Sequence, residues 1–220
     1  MANFLTLCAD LAREAGLMGG AGPSSVTGQT GEAARLVNWI KQANIDIQRQ
    51  FFDWKFLWVN HTVSLVAGSD DYPAPIEYHY WQRDKFSING SPVEVIEWEN
   101  WDQLSTAGEG QPYQVVIMPD GGLKVFPTPD KAYTLIAPYY RRPQVLALNT
   151  DIPLIPESFH DLIWMRALIK YAHYESAPEV LERVQIEYPE GYEQLKASQL
   201  PDKYRYGASR DADPLTVVVV

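Results

Sequence analysis

The chain has 220 residues, 46% of them hydrophobic, and a formal net charge of -10 with a pI near 4.8. That length and apolar share supply a sizeable core for one large domain or two small ones and exclude global disorder. The acidic balance argues against a general nucleic-acid binder, which needs clustered Lys and Arg against phosphates, and leaves open a wall along which DNA slides without sticking.

The first element is a short amphipathic helix over residues 3–15, with Phe4, Leu7, Cys8, Leu11, Ala12 and Ala15 as its stripe. Asn3 is placed to cap it, and Gly16 to end it in the left-handed conformation. Cys8 is the single cysteine, so no internal disulfide or cysteine-based zinc site can form, which fits a reducing compartment. Its place on the stripe makes it a small hydrophobe and not a reactive thiol. Asp10, Arg13 and Glu14 interrupt any signal-peptide pattern, and no apolar run approaches the roughly 20 residues that span a bilayer, so a soluble protein made in a cytosol is expected. The following GLMGGAGPSSVTGQTG is a loop; its glycines have neither the preceding strand nor the GK[ST] of a phosphate cradle.

Thr30 to Val59 is the stretch around which the rest is organised. Ala33, Leu36, Val37, Ile40, Asn44, Ile47 and Phe51 recur at helical spacing, with Lys41, Gln42, Gln48 and Arg49 on the other side. Thr30 is the expected N-cap, and Glu32 suits the positive end of the helix dipole. Phe51, Phe52, Trp54, Phe56 and Trp58 then form an aromatic exit that buries a large area.

Residues 56–67 read as a strand, Gly68 to Asp71 as a turn, and Tyr72-Pro73-Ala74-Pro75 as an extended segment lacking two donors. Asn89-Gly90 marks a hairpin, and Pro119-Asp120-Gly121-Gly122 a clearer one between residues 113–118 and 123–126. WENWDQL, residues 98–104, predicts a helical turn, and residues 133–140 a further strand. Residues 56–142 thus predict one small antiparallel sheet of about five strands, set between helical halves. Pro-flanked residues 151–156 lead to a helix over 157–176 so apolar that only Arg166, Lys170, His173 and Tyr174 form a polar strip. It must bury two faces, one on the long helix and the other on the first helix, the last helix or another subunit. Residues 178–199 continue as helix on a stripe of Leu181, Val184, Tyr188, Tyr192 and Leu195, with a kink or split expected at Pro189. Beyond Pro201 periodicity is lost. The arm ends in Leu215 and Val217, Val218, Val219 and Val220, a β-prone stretch that is either a frayed or self-packed tail or a strand donated to a partner's sheet edge.

Catalytic chemistry finds little purchase. His61, His79, His160 and His173 are scattered, no HExxH or GxSxG occurs, and Asp70 and Asp71 point apart in an extended chain. A carboxylate pair of glycosidase type is spatial and stays open at this stage. No catalytic, cofactor-binding or metal site is expected.

TGQTGEAARLVNWIKQANIDIQRQFFDWKFLW and IPLIPESFHDLIWMRALIKYAHYE resemble the corresponding blocks of tailed-bacteriophage head-to-tail adaptor (connector) proteins. The resemblance implies an α+β fold: a bundle of about four helices with an inserted small antiparallel sheet and an extended C-terminal arm. The divisions are 1–55 and 146–200 for the bundle, 56–145 for the insert and 201–220 for the arm. It further implies a structural virion protein: a ring, a dodecamer, below the portal that extends the DNA channel, passes DNA without sequence-specific contact and docks the tail or nozzle. In such a ring Trp164, Leu168 and Tyr171 face a neighbouring subunit, and the valine arm reaches the portal. The expected place is the head-to-tail interface of the virion, with host cytoplasm during assembly and no membrane. A second reading is a carbohydrate- or peptide-binding module on exposed Trp81, Trp98 and Trp101; a third is a temporary cap on the portal.

Overall fold

A computed structural model describes residues 2–103 and 108–201, the side chains of 101–103 excepted. The expected arm, with Leu215 and Val217 to Val220, lies outside these residues. The fold is α+β, with four α-helices and several small sheets among the described residues. Two compact units share the chain: one takes in residues up to Phe56 and from Pro143 onward, the other is Leu57–Arg142.

The first unit is helical: α1 (Phe4–Glu14), α2 (Gly31–Arg49), α3 (Asp161–Glu175) and α4 (Pro178–Gln199). Asn3 caps α1 by accepting from the Thr6 amide at 2.8 Å, and Gly16 follows its end at φ +68°. Cys8 is fully buried on the stripe. α3 packs on α1, α2 and α4, so the face left over after the contact with α2 is covered by two helices of the same chain. A 3-10 turn, Glu157–Phe159, precedes α3, and α4 runs unbroken through Pro189. Val184 and Tyr192, both buried, hold that helix on either side of the proline, which explains why it does not split.

Two expectations for α2 need correction. Thr30 occupies the N-cap position with extended backbone, but its hydroxyl makes no capping bond. Gln48 is not on the outer side; it is fully buried beside Asn44. The partner that draws it in is the chain returning at Gln144, 96 residues on, whose amide donates to Gln48 Oε1 at 2.9 Å. Gln48 Nε2 donates to the Asn44 carbonyl at 3.0 Å, and Asn44 Nδ2 to the Gln144 carbonyl at 2.9 Å. Gln144 in turn holds residues 152–154, its Nε2 donating to Ile152 O and its Oε1 accepting from Leu154 N. Gln48→Leu is therefore expected to cost about 1–3 kcal/mol, because it strands the Gln144 amide in the interior. A denaturant titration showing no loss would contradict this.

The second unit holds thirteen short strands among the described residues. In chain order they are β1 (Trp58–Val59), β2 (Thr62–Leu65), β3 (Asp71–Tyr72), β4 (Tyr78–Trp81), β5 (Ser87–Ile88), β6 (Ser91–Pro92) and β7 (Glu94–Glu97), then β8 (Glu109–Gly110), β9 (Gln114–Ile117), β10 (Leu123–Phe126), β11 (Thr128–Pro129), β12 (Tyr133–Ile136) and β13 (Tyr139–Arg141). They form four sheets in the orders β1-β13-β4, β3-β10-β9-β7, β11-β8 and β2-β12-β5-β6. Both expected hairpins form: β5 with β6 across Asn89 and Gly90, each at positive φ, and β9 with β10. Residues 98–103 make the expected helical turn as a 3-10 helix, and Leu104 lies outside the described residues.

The single five-stranded sheet is corrected to these four. Two long expected strands each break and change sheet together. The 56–67 stretch divides into β1 and β2, and the 133–140 stretch into β12 and β13. β1 pairs with β13, and β2 with β12. Pro138 has no N–H to continue a ladder, so the pair turns a corner there, still tied by the Ala137 amide donating to His61 O at 2.8 Å. β7–β9 and β8–β11 are parallel pairs, which a run of hairpins does not predict. The core of this unit includes Leu65, Trp81, Ile88, Val115, Val125 and Leu135.

Candidate assembly surfaces

On the helical unit, spacing brings Arg35 and Trp39 of α2 beside Tyr171 and Tyr174 of α3. The Trp39 ring meets Tyr171 edge-on at 5.9 Å between centroids and Tyr174 at 5.7 Å. The Arg35 guanidinium lies 4.6 Å from the Tyr174 ring centroid and donates to its hydroxyl. Below them Lys170 and Asp46 pair at 2.7 Å. Tyr174 is 53% exposed, so this cluster is a surface and not a core. Arginine stacked on tyrosine beside tryptophan is the composition of interface hot spots. Of the three residues expected at a subunit interface, Tyr171 belongs to this cluster and is half-buried, as is Trp164. Leu168 is fully buried within its own chain and offers no surface. The sequence signal for Arg35, Trp39 and Tyr174 was i, i+4 spacing on α2 and i, i+3 on α3, which became readable only once the two helices were known to pack.

On the sheet unit, β1, β13 and β4 set two rows of side chains across three strands. Val59, Tyr139 and Trp81 form one row, Trp58, Tyr140 and Tyr80 the other. The first row faces inward, with Tyr139 and Trp81 buried. In the second, Trp58 is 42% and Tyr80 45% exposed, and Tyr140 is half-buried. Trp58 Nε1 donates to Gln82 Oε1 at 2.7 Å, which fixes the indole and occupies its N–H. Trp81, expected on an exposed platform, is instead 1% exposed and donates to Gly121 O at 2.8 Å. Trp98 is partly exposed, and the Trp101 side chain lies outside the description. The platform expected from Trp81, Trp98 and Trp101 therefore does not form, and the outward row uses other residues.

The model of the SU10 adaptor protein family matches residues 2–217. The chain belongs to that family. It is a family of phage head-to-tail adaptors. No curated protein matches this adaptor.

Among the described residues of the adaptor, no three His, Cys, Asp or Glu side chains group so as to hold a metal, and no helix is long and apolar enough to cross a membrane. His160 is buried, with Nε2 against Ile155 O at 2.8 Å, a bond that ties the start of α3 to the chain before it. A depression of about 380 Å³ lies at the α3–α4 turn, lined by Ala172, His173, Ser176, Ala177, Pro178 and Leu181.

Burial pushes the Cys8 thiol up to about 12 and the Tyr188 hydroxyl of the adaptor to about 12, Arg166 opposing the second shift. In the unfolded chain these groups ionise near their ordinary values, 9.0 and 10.0. Their protonated forms therefore stabilise the fold fully below about pH 9, and that contribution is lost as pH rises toward 12. Melting temperature is expected to hold up to about pH 9 and fall steadily above it. A thiol reagent at pH 8 should leave Cys8 unlabelled until denaturant is added. Rapid labelling of the native protein would contradict its burial.

Proposed function

We propose that this adaptor is a structural virion protein that assembles as a ring, a dodecamer, beneath the portal, lengthens the DNA channel and gives the tail or its nozzle a docking surface. The family match over residues 2–217 carries the reading. In it, residues 1–55 and 146–200 form a helical bundle, 56–145 an insert and 201–220 an arm whose Leu215 and Val217 to Val220 pair with the portal. Arg35, Trp39, Tyr171 and Tyr174, with Trp164, supply the contact between subunits. The hot-spot composition of that cluster supports this role. A net charge of -10 supports DNA passing without being held or read. The particle is the working location, reached from host cytoplasm.

Electron microscopy of portal complexes mixed with saturating adaptor tests the reading. Rings on the portals are expected, and bare portals would overturn it. Removal of residues 205–220 is expected to leave the chain folded and to weaken attachment, because in this reading those residues make contact with the portal. Attachment at wild-type strength would remove the arm from the proposal.

A further inference from the structure

We propose that the outer face of α4, centred on Ile186, packs in the ring against the exposed side of α2 in a neighbouring copy. The inference rests on the ring reading above and names the surface that its Arg35 cluster meets.

α4 is held to its own chain by one side only. Val184, Tyr192 and Leu195 are its buried residues. At about 100° per residue, Ile186 lies about 200° round the helix from Val184, so it faces away from the core. It is 73% exposed. Glu179, Glu182, Ile186, Glu190 and Glu193 follow one another at steps of three and four, so they share a side, and all are exposed. Pro189, also exposed, stands beside Ile186 one turn on. Glu193 is paired with Lys196, and the adjacent Arg183 with Glu14 at 3.3 Å. Among the described residues, Glu179, Glu182 and Glu190 have no ion-pair partner. An apolar centre flanked by carboxylates fits a helix side that is uncharged in its middle and cationic at its ends.

α2 carries such a side. Arg35, Gln42 and Arg49 recur every seven residues and lie on one line, with Asn38 beside it. Gln42 is about 200° round from the buried Ile40, so this line too faces away from the core. Arg35, Asn38 and Arg49 are exposed, and Gln42 is half-buried. Arg35 gives one N–H to Tyr174, and its other donors remain for a partner. Neither Arg35 nor Arg49 is paired with a carboxylate among the described residues. Of the two carboxylates on α2, Asp46 is paired with Lys170 at 2.7 Å and Glu32 stands in the first turn.

The spans agree. Arg35 and Arg49 are separated by about 21 Å along the axis, and Glu179 and Glu190 by about 16 Å, a difference that two arginine side chains cover. Opposite charges at both ends set the register, and Ile186 meets the uncharged middle. α2 and α4 both pack on α3 and turn these faces outward, so the two faces meet only between copies. Two different patches meeting in this way make a head-to-tail contact, the kind that closes rings.

The test reverses charges in full-length adaptor mixed with portals. Electron microscopy counts the rings, and thermal melts follow the unassembled chains. Arg35→Glu with Arg49→Glu is expected to cut ring occupancy at least about tenfold at fixed concentration, the scale of a lost interface anchor. Ile186→Asp should do the same, and both should melt close to the wild type. Adding Glu179→Arg and Glu190→Arg to the double arginine variant should restore rings. A contact between copies then regains opposite charges, whereas the charges of the portal have not changed. Wild-type occupancy in Ile186→Asp or in the double arginine variant, or a loss that the four-residue variant does not recover, would overturn this contact and leave the ring standing. Bare portals with the unchanged adaptor would overturn the ring reading and this contact with it.

Discussion

Trp81→Ala is expected to remove about 3–5 kcal/mol from the sheet unit, the usual cost of truncating a buried aromatic. The indole is 1% exposed and sits among Tyr78 at 4.8 Å, Phe86 and Tyr139, each at 5.6 Å, and His61 at 6.2 Å. Truncation leaves a cavity that these rings cannot all move to fill. It also removes the donor to Gly121 O, so a carbonyl loses its partner. Trp81→Phe keeps most of the ring contact and loses the hydrogen bond, so roughly 1–2 kcal/mol is expected. The turn that supplies the carbonyl is equally constrained. Gly121 has φ +88°, and a Cβ there would lie 2.3 Å from Tyr78 Cε1. Gly121→Ala therefore combines left-handed strain with a clash and should destabilise the same unit. Hydrogen exchange during denaturant titration reads both: protection should fall in β9, β10 and β12. A loss below about 1 kcal/mol for Trp81→Ala would mean that the residue is not the core piece its geometry implies.

Trp81 also shows where sequence reading stops. The spacing of Leu36, Ile40 and Ile47 gave α2 its buried face, and Asn3 and Gly16 gave α1 its ends, because helix signals are local. Asn89-Gly90 gave a hairpin for the same reason. In strands of two to four residues, alternation is too short to say which side is inside. Tyr80 and Trp81 are adjacent aromatics, and only the register with Tyr140 and Tyr139 decides that Tyr80 faces out and Trp81 in. The outward row draws on positions 58, 80 and 140, so no local window contains it. Gln48 follows the same logic, since its burial is decided by the distant Gln144. The corner at Pro138 was visible as a proline, but its consequence, two strands changing sheets together, needed the pairing of β1 with β13 and β2 with β12.

The double substitution Arg35→Ala with Tyr174→Ala is expected to leave the fold nearly intact and to reduce ring assembly by about thirtyfold or more, the effect of losing an interface hot spot. Both side chains are exposed, and their mutual stacking is a surface contact, so the stability cost should stay near 0.5–1 kcal/mol. Tyr171→Ala is a less clean probe, because Tyr171 is half-buried and its loss also opens packing within the chain. Leu168→Ala serves as the contrast. Its side chain is fully buried, so it should lose about 2–5 kcal/mol of stability and weaken assembly only through unfolding. Counting adaptor copies per portal complex, alongside thermal melts of the unassembled chain, separates the two effects. If the double variant melts like the wild type and still fills portals at wild-type concentration, the α2–α3 cluster is not the contact between subunits. If it melts like the wild type and leaves portals empty, the exposed arginine and tyrosine act in assembly and not in folding, since one copy folds without them.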